Sequence, residues 1–170
     1  NEKPLNFDVE QKGTYHFVGT ATAGNNTLLK EMVFDPETYT LSLKIKTING
    51  EAGPNDQIET RLANQVLKIK KSMFTPAYEG TEFFAVNDGS EERHTIDIEK
   101  SFAEKYEKSS LAAIGTHYFA TAINDQSSVI PKTKVDFTTE DQVAYAAVVH
   151  PAATIGSKTE INMTGFVGPK

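Results

Sequence analysis

With 170 residues, 38% of them apolar and 24% charged, the chain has the composition of a globular protein able to close one substantial core, not that of a disordered one. Its net charge of −6, and a basic set in which only Arg61 and Arg93 carry the planar fork suited to phosphate and guanine, argue against nucleic acid as a partner. The absence of Cys rules out disulfides, thiolate metal sites and Cys nucleophiles, and no apolar run approaches the length of a bilayer span.

The chain opens at Asn1 without an initiator Met, as a truncated chain or a mature terminus freed of its leader would, and residues 1–12 read as an extended polar lead-in. Aromatic, β-branched and small residues over 14–22 predict a strand, Ala23-Gly24-Asn25-Asn26 a turn, and residues 28–34 a second strand. After Asp35-Pro36-Glu37 comes the clearest signal. Tyr39, Leu41, Leu43 and Ile45 alternate with Thr40, Ser42, Lys44 and Lys46, the period of a sheet wet on one face, and Asn49-Gly50 closes this strand with a turn.

Asp56 with Glu59 three residues on resembles a helix cap, and Ile58, Leu62, Val66 and Ile69 share a helical face. They predict a helix over about 57–70, with a strand over 66–72 as its rival. Residues 73–84 are aromatic but broken by Pro76 and Gly80, and read as an irregular loop that something must cover. Asn87-Asp88-Gly89-Ser90 is a turn and 94–98 a short strand. Ser101-Phe102-Ala103-Glu104 fits a capping box, predicting a second short helix to Ile114 ended by Gly115. Strands follow over 116–123, 129–137, 142–150 and 158–167, making about nine in all. Gly13-Thr14-Tyr15-His16-Phe17 echoes Gly115-Thr116-His117-Tyr118-Phe119, which two similar meanders explain without duplication.

These elements predict one domain over 1–170, an antiparallel β-sandwich of immunoglobulin-like kind with one or two short helices. The alternative is a closed, lipocalin-like β-barrel with an internal cavity.

Chemistry is sparsely marked. The histidines His16, His94, His117 and His150 have no metal-ligand spacing, and His16 and His117 would meet only if the echoing strands pair. The carboxylate pairs Glu91-Glu92 and Glu140-Asp141 fall in predicted turns, where solvent keeps carboxylates ordinary. No nucleophile elbow, phosphate loop or calcium loop is present, so neither catalysis nor a cofactor is expected. Lys68, Lys70 and Lys71, with Lys44 and Lys46, could offer a basic patch, though a solvated helix face is the simpler explanation. The candidate binding residues are Phe74, Tyr78, Phe83 and Phe84, because aromatics on a Pro/Gly-constrained segment lose little entropy on docking. The competing reading has Phe74, Phe83 and Phe84 plugging one end of the sandwich, as most large aromatics are buried.

The expectation is therefore a non-catalytic binding module, extracellular or of a bacterial cell envelope, whose partner is a protein or a cell-surface polymer. Two alternatives stay open: a barrel carrying a small hydrophobic ligand, and a structural subunit of a surface or virion assembly. Oligomeric state is left open.

Overall fold

The alternation around Leu43 forms a strand, β4 (Thr40–Asn49), in the computed structural model, which describes residues 5–49, 57–66, 80–96, 100–127, 134–151 and 160–170. Leu43 and Ile45 are buried on one face, and Lys44 and Lys46 meet Glu160 on the other. Three strands precede it: β1 (Asp8–Gly13), β2 (His16–Ala23) and β3 (Asn26–Asp35). Nine follow: β5 (Gln57–Gln65), β6 (Glu82–Asn87), β7 (Ser90–Thr95), β8 (Ala103–Tyr106), β9 (Ser109–Gly115), β10 (Phe119–Asp125), β11 (Lys134–Glu140), β12 (Val143–Pro151) and β13 (Glu160–Pro169).

They make two antiparallel sheets, the β-sandwich expected. The larger runs β1-β2-β3-β4-β13-β10-β9-β6-β7 and the smaller β5-β12-β11-β8. Neither sheet closes on itself among the described residues, so the lipocalin-like barrel is not the architecture. The smaller sheet packs on β9 and β10. There Phe137 stacks on Phe83 with ring centroids 4.6 Å apart, and Phe102 adds a third ring 5.3 Å from Phe83. Ala112, Ile114, Ala144, Ala146 and Val148 complete a close-packed interior. Strands β1 to β4 lie on the other side of β13, and Leu28, Leu43 and Ile45 extend the same core cluster onto β3 and β4.

Among the described residues there is no helix, which corrects both predicted ones. In β5 the inward positions are Ile58, Thr60, Leu62 and Asn64. With every second inward residue polar, the apolar repeat becomes four, a spacing that a strand of period two and a helix of period 3.6 both satisfy. The remainder of that predicted helix beyond Val66 lies outside the described residues. The second predicted helix is the β8–β9 hairpin. Its Ala112 and Ala113 favour helix intrinsically, yet β9 is sandwiched between β6 and β10 under the smaller sheet, where small side chains are needed, and packing overrides propensity.

Three further expectations change. Residues 8–12 of the expected lead-in belong to β1, which pairs with β2 as an edge strand, and residues 1–4 lie outside the described residues. Residues 82–84 of the aromatic segment belong to β6, and Glu91-Glu92 stand on β7 instead of in a turn. The turn itself is present: Asp88 and Gly89 both have positive φ, the two-residue link that matches the twist of a hairpin.

Candidate functional site

One register row crosses the half of the larger sheet formed by β1 to β4 and β13. Val9 of β1 faces Gly19 of β2, which faces Lys30 of β3, which faces Ile45 of β4, which faces Ile161 of β13. The row lies on the face that carries the core, and Lys30 is its one charged member. Gly19 leaves a gap beside it: a Cβ there would lie 3.0 Å from Phe7 Cβ, so the absence of a side chain is what lets the Phe7 ring settle on the sheet. Lys30 Nζ lies 5.5 Å from that ring's centroid, within cation–π range.

These side chains floor a groove of about 280 Å³, lined by Leu5, Phe7, Val9, Gly19, Lys30 and Met32, with Asn6 as its uncharged polar member. Leu5 and Val9 remain 42% and 58% exposed, so the groove has apolar walls open to solvent. Burial pushes the Lys30 ammonium below its usual pKa, and no carboxylate pairs with it among the described residues. A desolvated cation without a counter-charge raises the affinity of the site for an anion. A smaller depression of about 190 Å³, between Val66, Ile96 and the β11–β12 turn, lacks this asymmetry, because its Lys100 is already engaged.

A second cluster has the residue types of a catalytic triad in the wrong order. His150 of β12 and Asp125 of β10 are buried between the sheets, with Nε2 3.1 Å from Oδ2. Ser127 donates its hydroxyl and its backbone N–H to Asp125 Oδ1. The carboxylate therefore separates the hydroxyl from the imidazole, and among the described residues no imidazole reaches the Ser oxygen. Burial favours the protonated form of Asp125, but His150 and the bonds from Ser127 outweigh it and hold its pKa below the usual value. Neither ring nitrogen of His150 has a well-aligned hydrogen bond among the described residues, so its tie to Asp125 is the 3.1 Å charge contact of Nε2. The cluster is a polar rivet between the two sheets.

The other histidines sit apart. His16 Nε2 contacts Glu31 at 2.8 Å, His94 bonds the Tyr106 hydroxyl, and His117 packs edge-on against Tyr118. The echoing strands do not pair: β2 lies between β1 and β3, and β10 between β13 and β9. Among the described residues no three His, Asp or Glu side chains converge to hold a metal.

Of the four aromatic candidates, Phe74 and Tyr78 lie outside the described residues. Phe83 is fully buried in the inter-sheet stack, while Phe84, its neighbour on β6, faces outward beneath the Arg93 guanidinium. Lys68, Lys70 and Lys71 also lie outside the described residues. Lys44 and Lys46 are both drawn to Glu160, at 3.1 and 2.8 Å. Lys46 and then Lys44 hold the Glu160 carboxyl down to a pKa of about 2. This outer face is thus a cross-strand charge ladder with internal balance, not a free basic patch.

Comparison with known proteins bears on the fold and the family. The crystal structure of the Slr1438 protein of Synechocystis sp. PCC 6803 is similar over 98% of this chain, with 9% sequence identity and a TM-score of 0.54; the chain spans 66% of that protein's length. At such identity the likeness is one of fold alone. None of the curated proteins matches the chain. The family model described as the YidC periplasmic domain matches residues 6–170.

Proposed function

The chain belongs to the YidC periplasmic domain family, and from that premise we propose that it is a non-catalytic binding module whose contact surface is the Lys30 groove. Membership puts it on the periplasmic side of the cell envelope. No helix among the described residues is long and apolar enough to cross a membrane.

The observation that supports the reading is the half-buried ammonium of Lys30, unanswered by a carboxylate among the described residues, set in an apolar row that is buried at Ile45 and Ile161 and opens to solvent at Val9. Apolar walls with a few well-placed polar groups, here Lys30 and Asn6, are the usual composition of a binding site. The Ser127–Asp125–His150 order supports the non-catalytic part, since it supplies no activated nucleophile. Hydrogen–deuterium exchange of the chain, alone and with an extract of the envelope, tests the proposal. Slower exchange over residues 5–9 and 28–32 is expected. Slowing confined to β5, β8, β11 and β12, or turnover on a hydrolase panel that vanishes in Ser127→Ala, would overturn it.

A further inference from the structure

Resting on the reading of the groove as the binding surface, we infer that its ligand is a single-chain amphiphilic carboxylate, with the hydrocarbon on Leu5, Phe7, Val9 and Met32 and the acid group on Lys30 Nζ.

Four features narrow the class. The sign of the ligand follows from the row Val9–Gly19–Lys30–Ile45, in which one cation stands among apolar neighbours and no carboxylate answers it among the described residues. The count of charges follows from the same row. One ammonium balances one negative charge, whereas a phosphate monoester brings about −1.5 to −2 and wants several donors or an Arg fork. Neither Arg helps here, because Arg61 bonds Glu59 and Arg93 lies over Phe84 on β6. The size follows from the volume. At about 280 Å³ the groove is just below the range of roughly 300–1,000 Å³ typical of small-molecule pockets, room for one chain and not for a two-chain lipid.

The fourth feature is the way the groove is walled. Leu5 and Val9 are exposed on one side, Met32 packs against the core on the other, and Phe7 stands between them over Gly19. A flexible hydrocarbon chain conforms to walls of this kind without needing directional partners. Lys30 at the floor then fixes which end of the ligand enters, through a charge-assisted hydrogen bond in a site partly stripped of water.

The experiment is a titration of the chain with sodium decanoate, decan-1-ol and decyltrimethylammonium, followed by methyl resonances of Met32, Val9 and Leu5 and by calorimetry. Decanoate is expected to shift all three methyls, and the cationic amphiphile to bind at least tenfold more weakly. Lys30→Met fits the same volume, and is expected to weaken decanoate roughly 10- to 100-fold while leaving decan-1-ol unchanged. Lys30→Arg keeps the charge and retains anion preference. Equal binding of the three amphiphiles at those methyls, or no loss of decanoate affinity in Lys30→Met, overturns the ligand class and leaves the groove as a binding surface. An acidic, apolar-rich peptide that moves the same methyls at lower concentration than decanoate also overturns it, in favour of a protein partner. Silent methyls in every arm remove the groove reading together with the ligand class.

Discussion

The two halves of the larger sheet solve opposite problems. Under the smaller sheet, β9 presents Ala112 and Ile114, β6 presents Phe83, and the partner sheet answers with Phe137, Ala144, Ala146 and Val148; even the polar rivet of His150, Asp125 and Ser127 is enclosed. On the far side of β13, the same face carries Val9, Gly19 and Lys30 and is left partly open. A charge at Lys30 without a counter-charge is what a packed interior does not tolerate and what a contact surface uses. The contrast separates residues that hold the sheets together from residues available to something else.

Substitutions at the covered half are expected to break that contrast most visibly. Phe83→Ala removes a fully buried ring from a three-ring stack and should cost about 3–5 kcal/mol in urea unfolding, while Phe84→Ala, one residue on and facing outward, should cost under about 1 kcal/mol. Asp125→Asn keeps the shape of the rivet but loses its charge, and should cost about 1.5–3 kcal/mol. Because the Asp125 pKa is depressed in the folded state, its contribution is present in full above the ordinary carboxylate value of about 3.9 and is lost as the pH falls through the lower folded value. The wild-type acid limb should therefore be steeper than that of Asp125→Asn.

Smaller effects sharpen the comparison from the open half. Lys30 has a lowered pKa, so its charged form costs stability at neutral pH, and that cost is relieved as the pH rises through the folded pKa towards 10.5. Lys30→Met should leave the urea midpoint equal or slightly higher at pH 7, and should flatten the alkaline limb. A fall in the midpoint would mean that Lys30 serves the fold and not a ligand. The least effect is expected at Glu160→Gln on the solvent face. With a folded pKa of about 2 against 4.5, Glu160 contributes above pH 4.5 and loses that contribution as the pH falls to about 2, so the variant should differ mainly in the slope of that window.

How much of this is written in the chain depends on which spacing carries the signal. β4 and the C-terminal strands are legible because apolar and polar residues alternate without interruption, as Leu41, Leu43 and Ile45 do with Ser42, Lys44 and Lys46. β5 is not, because Thr60 and Asn64 occupy inward positions and stretch the apolar repeat to four. β9 is not, because its alanines fit a buried strand for a reason that appears only once β6, β10 and the smaller sheet surround it. Phe83 and Phe84 are adjacent in sequence and opposite in fate, a distinction that requires knowing which face of β6 looks inward. The groove was illegible for a simpler reason. Val9, Gly19, Lys30 and Ile45 are separated by ten or more residues each, and none belongs to a motif; only strand register brings them into line. The rivet is similar, since Asp125 and His150 come from different sheets. A Lys among apolar residues in the strand 28–34 was the one hint available.

The placing of β13 has a consequence for how the molecule comes together. This strand, last in chain order of the thirteen described, inserts between β4 and β10 and is hydrogen-bonded to both. The early hairpins β1–β2 and β3–β4 can form as soon as they emerge, but they stay a separate ribbon until the final strand arrives to zip them to the rest. Assembly is then governed by a closure between residues more than a hundred positions apart, a slow step for a β protein. During that interval the inner flank of β4, with Ser42, Lys44 and Lys46 alternating along it, stands as an unpaired edge whose lysines discourage a stray strand from taking the place reserved for the tail.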